Sequence, residues 1–256
     1  MSSGFAHVNG LKIYYEVHGE GGERPLVLLH GGAHTIELSF GRVLPALAEH
    51  RQVVAIELQG HGRTADTDRE MSIEAFADDV LGVLDHLGIE RADILGFSLG
   101  GLTALQFGLR HPRRTGRLVL LSANYRPDGV HEEIRANDPG STRMPTKADF
   151  AEMRDAYVEV APDPGHFETF LGRLSVLVNK TWQGWSDEEL SGLGSPALIM
   201  IGDQDFTKPG HAVRMQELIS GSQLAVLPDT KHVQIVNRPD FVLPMVEKFL
   251  DWSRVS

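Results

Sequence analysis

Ser98 lies in Gly96-Phe97-Ser98-Leu99-Gly100, between a strand-like run, Ala92 to Phe97, and a helix-like one, Leu99 to Arg110. A serine on so tight a turn has its hydroxyl exposed at the carboxyl end of a strand. Small residues are needed two places before and after it because neighbouring backbone crowds there, and Gly96 and Gly100 meet that need. The same turn puts the Leu99 N–H at a helix start, where backbone donors are free to bind an anion. Serine is a weak nucleophile at neutral pH, so Ser98 needs a base to take its proton and a third group to fix that base's tautomer. Of the twelve histidines, His232 is best placed, in the loop Pro228-Asp229-Thr230-Lys231-His232 between a strand and the final helix. The acid is sought after an adjacent strand, in Gly202-Asp203-Gln204-Asp205. Asp205 is preferred to Asp203 because two more residues carry its carboxylate clear of the strand, and Asp128, after the preceding strand, is the third candidate. The plain alternative for each is a solvated turn residue.

Chemistry at Ser98 would build negative charge on a substrate oxygen, which calls for two preorganised N–H donors. Leu99 offers one. The other is expected from Leu28-Leu29-His30-Gly31-Gly32-Ala33, where glycines allow close backbone approach, with Gly32 first and Ala33 as the alternative. His30 is read as a hydrogen-bonding member of this loop, and His34 as too isolated to make a metal site. Gly60-His61-Gly62-Arg63-Thr64-Ala65 also fits a dinucleotide-binding pattern. The next residues, Ala65-Asp66-Thr67-Asp68-Arg69, are turn-like and acidic where a phosphate-binding helix would begin, so that pattern is set aside.

Positioning these groups requires a sheet. Phe5 to Val17 reads as two short strands around Asn9-Gly10, a dipeptide suited to a hairpin turn because both residues accept positive φ. Pro25 to His30, Gln52 to Leu58, Asp93 to Phe97, Arg117 to Ser122, Ala197 to Ile201 and Leu224 to Leu227 are continuous apolar runs, as expected of parallel strands covered on both faces. Helical patterns separate most of them. Ser72 is placed to cap a helix burying Ile73, Phe76, Val80, Leu84 and Leu87 and ending at Gly88, and the last helix follows Pro239 with Phe241, Met245, Phe249 and Trp252 on its stripe. The expected fold class is α/β, a doubly wound and mostly parallel sheet that starts with an antiparallel hairpin. Between residues 125 and 190 no strand is visible: Phe150, Met153, Tyr157 and Val160 form one helical stripe, and Phe167, Phe170, Leu171, Leu174 and Val178 another. This segment reads as a helical cap inserted after the sixth strand, with a core of residues 1–124 and 191–256. Ser186 and Glu189 fit a capping box where the chain rejoins the sheet.

The 256 residues include 41% hydrophobic ones, enough to bury a full core. The absence of cysteine excludes thiolate nucleophiles, disulfides and Cys-ligated metal sites. A net charge of −11 works against nucleic acid as a partner. No apolar run reaches membrane-spanning length and the first residues lack a signal-type core, so the expected location is cytoplasmic, without a membrane partner.

His30-Gly31-Gly32, Gln59-Gly60-His61-Gly62-Arg63-Thr64, Gly96 to Gly101, Gly202-Asp203-Gln204-Asp205 and His232, in that order, resemble the α/β-hydrolase-fold serine hydrolases over essentially the whole chain. In that family the second motif is usually Asp-x-x-Gly-x-Gly-x-Ser; Glu57 and Thr64 stand at the acid and serine positions here and are read as structural variation. The resemblance implies a Ser98, Asp205, His232 triad, an oxyanion hole of Gly32 and Leu99, no cofactor, and a small apolar ester, lactone or thioester as substrate. It also leaves open a cofactor-free perhydrolase, a carbon-carbon bond hydrolase and a slowly turning-over small-molecule receptor of the same fold. Serine at position 98 argues against dehalogenases and epoxide hydrolases. The loop Gly31-Gly32-Ala33-His34 departs from the His-Gly-Gly-Pro-Gly of proline iminopeptidases and the Gly-Gly-Gly-Pro-Gly type of carbon-carbon bond hydrolases. Ala33, Tyr125, Phe150, Tyr157, Trp182 and Trp185 are the expected pocket residues, against the plainer reading that aromatics at helical spacing form core. An imidazole base is inactive when protonated, so kcat/KM should rise with pH as that proton is lost. Hydrolysis of an activated ester should also be unchanged by EDTA; EDTA-sensitive activity restored by zinc would replace serine chemistry with a metal-assisted mechanism.

Overall fold

Asn9 and Gly10 both take positive φ, 50° and 81°, the turn geometry that matches the right-handed twist of the strands it joins. They connect β1 (Ser2–Val8) to β2 (Leu11–His18) in an antiparallel hairpin. The computed structural model describes residues 1–250 and continues with β3 (Leu26–Leu29), β4 (Val53–Ile56), β5 (Ala92–Phe97), β6 (Thr115–Leu121), β7 (Ala197–Gln204) and β8 (Gln223–Lys231). Among the described residues these strands form one sheet in the order β1-β2-β4-β3-β5-β6-β7-β8. The β1–β2 and β2–β4 pairings are antiparallel and the others parallel. Strand order reverses at β3, which has β4 on one side and β5 on the other. Loops leaving the carboxyl ends of β3 and β5 therefore share a crevice, where open α/β sheets take their ligands. Leu29 at the end of β3 is registered with Gly96 in β5, so the loop from His30 to Ala33 emerges beside Ser98.

The helices are α1 (Ile36–Phe40), α2 (Leu44–Leu47), α3 (Ile73–His86), α4 (Leu99–Arg110), α5 (Glu132–Arg135), α6 (Lys147–Val160), α7 (Phe167–Val176), α8 (Asp187–Ser191), α9 (Pro209–Leu218) and α10 (Pro239–Phe249). Alternate strand residues face two separate cores, which is why the parallel strands read as unbroken apolar runs. Leu26, Leu28, Val53 and Ala55 join Phe40 of α1, Leu47 of α2 and Val246 of α10. Val27, Leu29, Val54 and Ile56 join Phe76 and Val80 of α3 and Leu105 of α4. The Ser72 hydroxyl caps α3 by accepting the Ala75 N–H at 3.0 Å, and Gly88, at φ 69°, follows the helix end. Leu87 is half-buried at that end. The stripe of α10 is rotated from the expected one: Val242, Val246 and Phe249 are buried, whereas Phe241 and Met245 are half-buried. Apolar residues occur nearly all round this helix, so its spacing admits two overlapping stripes. The Arg238 guanidinium, 4.5 Å over the Phe241 ring, keeps that side chain at the rim. Trp252 lies outside the described residues.

Between β6 and β7 the chain runs through short 3₁₀ turns and α5 to α8, with a π-helical turn at Leu177–Thr181. Thr146 and Ser186 begin α6 and α8 with complete capping boxes. Tyr157 of α6 stacks on Phe170 of α7 with centroids 5.6 Å apart, and Met153, Phe167 and Leu174 are buried in the same core. The Trp185 N–H donates to the Tyr125 carbonyl at 2.9 Å, tying the two ends of this segment together.

The close approach of β3, β5 and α4 makes a checkable demand. A Cβ added at Gly100 would lie 2.0 Å from the Leu29 carbonyl oxygen, and one at Gly96 would lie 2.2 Å from the Gly100 oxygen. Gly100→Ala should lower stability by about 1–3 kcal/mol or more, seen as a lower urea midpoint at unchanged m. Gly172→Ala on the exposed side of α7, where an added Cβ meets nothing within 4 Å, should instead raise the midpoint slightly.

Candidate active site

Ser98 joins β5 to α4 with φ 51° and ψ −112°, a backbone state rarely adopted by a residue with a side chain. Its N–H is held by the Leu121 carbonyl at 2.8 Å, and its own carbonyl accepts the Leu102 N–H at 3.0 Å. The side chain is left free of the sheet, and its Oγ lies 2.9 Å from Nε2 of His232. His232 follows β8 directly, and its Nδ1 lies 2.7 Å from Oδ1 of Asp205. Asp205 is fully buried just past β7. Burial by itself would raise its pKa; the charge and hydrogen bond of His232, the Ser122 hydroxyl and the Thr207 N–H outweigh it and hold the carboxyl below the usual carboxylate range. Oδ1 also accepts the Thr207 N–H at 3.2 Å, and Oδ2 accepts the Gly202 N–H at 3.3 Å and the Ser122 hydroxyl.

The other acid candidates lie apart from this chain of bonds. Asp203 is exposed and accepts the Thr230 N–H at 3.1 Å, while the Asp128 carboxylate pairs with Arg126 at 3.2 Å. The loop after β3 turns tightly, with the His34 N–H reaching the Gly31 carbonyl at 3.2 Å and Ala33 at φ 60°. This turn sets Gly32 against the elbow: a Cβ built on Gly32 would be 3.9 Å from the Leu99 Cβ and 3.1 Å from Leu174 of α7. Leu99 occupies the first helical position of α4, where a backbone N–H has no acceptor within its own helix.

His30 is a strut between two loops. Its Nδ1 bonds the Gly31 carbonyl at 2.8 Å and its Nε2 lies 3.0 Å from the Leu58 N–H; burial pushes its pKa down to about 4. His34 bonds Ser39 Oγ through Nδ1 at 3.1 Å, and burial first, then the nearby His30 and His232, lower it to about 3. The variant motif is structural as well. Buried Glu57 accepts the backbone N–H of Arg63 at 2.6 Å, and the Thr64 hydroxyl bonds the Glu57 carbonyl at 2.7 Å. Among the described residues no group of three His, Asp or Glu side chains could hold a metal ion.

The expected aromatic pocket is not gathered at Ser98. Tyr125 is fully buried, with its ring stacked on His211 at 4.4 Å and its hydroxyl donating to Asp187 at 2.7 Å, so its polar tip is already used. Tyr157 is spent in the α6–α7 core, and Phe150 is 43% exposed. Trp182 and Trp185 pack edge to face at 5.5 Å and wall a cleft of about 810 Å³ with Leu177, Leu109, Arg110 and Gln106, which accepts the Trp185 indole N–H at 2.8 Å. Ser98, Asp205 and His232 do not line that cleft. Gln106 is eight residues beyond Ser98 on α4, about 12 Å along the helix. Ala33 is buried in the turn beside Gly32.

Three contacts went unread in the sequence. Ser122, at φ 52°, reaches Asp205 only because β6 and β7 are neighbours. Phe206 stacks on the His232 ring, and Leu174 meets Gly32. Leu174 stood on an identified stripe, but nothing in the spacing named its partner.

The family model described as the alpha/beta hydrolase fold matches residues 24–162. A 2-hydroxymuconate semialdehyde hydrolase of a Pseudomonas species is 37% identical over 234 residues, covering 84% of this chain and 83% of that protein. Among solved structures, a meta-cleavage product hydrolase from Pseudomonas fluorescens superposes with TM-score 0.81 at 25% identity, covering 99% of this chain and 98% of that one. An enol-lactonase from Burkholderia xenovorans does so with TM-score 0.77 at 26% identity, covering 96% and 99%. With a family profile spanning more than half its length and a relative 37% identical over 84% of it, the chain belongs to the alpha/beta hydrolase fold family.

Proposed function

We propose that this chain is a serine hydrolase that cleaves a carboxylic ester, lactone or thioester of a small apolar substrate through Ser98, His232 and Asp205. The observation that carries the reading is the unbroken hydrogen-bond path from Ser98 Oγ to His232 Nε2 and from Nδ1 to Asp205. An ionised Asp205 keeps the imidazole proton on Nδ1 and leaves Nε2 as the acceptor that a general base requires. Ser98 Oγ attacks the carbonyl carbon as its proton passes to Nε2, and the carbonyl electron pair moves to oxygen. The N–H groups of Gly32 and Leu99 stabilise that oxyanion. His232 then gives the proton to the departing oxygen or sulfur as its bond to carbon breaks, leaving an ester on Ser98. Water, losing a proton to the same Nε2, releases the acid and restores the serine.

In this reading residues 125–190 form a lid on a core of 1–124 and 191–256. Leu174 against Gly32 and Phe206 against His232 support an apolar substrate, since both bring hydrocarbon to the reacting groups. The 37% identity to a 2-hydroxymuconate semialdehyde hydrolase favours a second reading, in which the same triad hydrolyses a carbon-carbon bond beside a carbonyl. The Gly31-Gly32-Ala33-His34 loop, lacking the Gly-Gly-Gly-Pro-Gly form, keeps ester-type substrates first.

A fluorophosphonate should label the wild type at Ser98, and Ser98→Ala should abolish labelling and lower kcat by up to about 10⁶-fold with the fold intact. Near-parental hydrolysis of activated esters by Ser98→Ala would overturn the assignment. A panel of graded acyl esters, lactones and a 2-hydroxy-6-oxodienoate separates the two substrate readings, and sustained turnover separates an enzyme from a ligand receptor. Asp205→Asn should cost about 10⁴-fold in kcat, whereas Asp203→Asn should stay near parental activity. Comparable losses in these two variants would move the role of the acid.

A further inference from the structure

His232 is held on two edges and one face. Ser98 stands at Nε2 and Asp205 at Nδ1, while the Phe206 ring lies parallel to the imidazole, 3.9 Å between centroids and 6° between planes. Phe97 approaches at 5.4 Å with a 40° tilt, so its ring is not parallel to the imidazole. For a neutral imidazole, parallel stacking is an ordinary aromatic contact. For a protonated one, the same geometry puts a cation over the negative face of a benzene ring, well within the roughly 6 Å reach of that attraction. The positive charge exists only after Ser98 has surrendered its proton. An attraction that appears with it stabilises the transition state more than the ground state, which is the requirement for accelerating the step.

The ring is also well fixed. Phe206 follows Asp205 directly, so the acid and the stacked ring are carried on one short loop. The Phe206 carbonyl accepts the His131 N–H at 2.9 Å, and the Asp205 carbonyl accepts Nη1 of Arg143 at 3.1 Å. Thr207 bridges to Val130 across an isolated strand contact. The insertion thus clamps this loop along its backbone, and the Phe206 ring limits rotation of the imidazole about its Cβ–Cγ bond.

The geometry points to Phe206 as a positioning residue of the reaction: its ring fixes the plane of His232 and stabilises the imidazolium formed when Ser98 is deprotonated. The inference rests on the serine-hydrolase reading above. It is tested with p-nitrophenyl acetate as substrate on the full-length chain, using Phe206→Leu, Phe206→Tyr and a protein carrying pentafluorophenylalanine in place of Phe206. Pentafluorophenylalanine keeps the ring's shape and reverses its quadrupole. Phe206→Leu should lower kcat about 3- to 30-fold with KM within about twofold, and Phe206→Tyr should restore kcat to within about twofold of wild type. The pentafluorinated protein should lose at least as much kcat as Phe206→Leu while keeping the wild-type urea midpoint. Should Phe206→Leu fail to fold, the pentafluorinated and tyrosine proteins carry the test. Wild-type kcat in the pentafluorinated protein would overturn the electrostatic role, and wild-type kcat in a folded Phe206→Leu would overturn any positioning role. Fluorophosphonate labelling separates the two failures: a labelled wild type with a flat Phe206 series defeats this inference alone, whereas an unlabelled wild type defeats the reading beneath it.

Discussion

Backbone crowding beneath Ser98 is the constraint from which the site follows. Carbonyls of β3 and α4 occupy the space where side chains of Gly96 and Gly100 would stand, so β5 and α4 meet with nothing between them. The chain can reverse there only by driving Ser98 into a strained conformation, at a cost on the order of 1–3 kcal/mol. The sheet carries that cost because the neighbouring strand end holds the Ser98 N–H and the new helix holds its carbonyl. A hydroxyl lifted clear of the strand and a helix start beside it are the two results. The reversal of strand order at β3 then supplies the glycine loop on one flank, and β7 and β8 deliver Asp205 and His232 from the other.

The parts of the molecule that were legible in the sequence are those where chemistry or backbone geometry restricts residue type. A serine between two glycines, an aspartate and a histidine each just past a strand, and Asn9-Gly10 at a hairpin can be read because few alternatives satisfy those positions. Strands buried on both faces were readable for the same reason, since polar residues are excluded from both sides at once. Tyr125, Tyr157, Trp182 and Trp185 were expected to line a substrate pocket, but an aromatic stripe does not say what it packs on. They became a fastening, an internal core and the wall of a separate cleft. Ser122 and Phe206 were hidden for a different cause: each acts across a contact between residues that are distant in sequence or stacked through a loop conformation.

The segment between β6 and β7 is joined to the rest of the chain both at its root and through α7, whose Arg173 donates to the Arg69 carbonyl at 2.6 Å and pairs with Asp66 at 2.6 Å. Tyr125 and Trp185 tie its two ends together, and Gly129, Val130, His131 and Arg143 bind the segment running from Asp205 to Lys208. Displacement of the root would therefore be felt at the carboxylate hydrogen-bonded to His232, whereas α7 braces the loop after β4 through Arg173 and through Phe170 against His61, and meets Gly32 through Leu174.

The loop carrying Gly32 is braced by imidazoles that the folded state keeps uncharged. His30 and His34 are pushed down to about 4 and about 3, and His61, its ring tilted against that of His30 with centroids 4.6 Å apart, is also held well below the ordinary value, in each case first by burial. Above about pH 6.5 neither folded nor unfolded chain protonates them, and they exert no pull on the equilibrium. As pH falls from there toward 4, the unfolded chain takes up protons that the buried rings refuse, so acid favours opening. Mutual repulsion among neighbouring rings steepens the effect once the first is charged. Proton uptake is thereby coupled to disassembly of this one loop, making the Gly32 side of the crevice a point of acid lability.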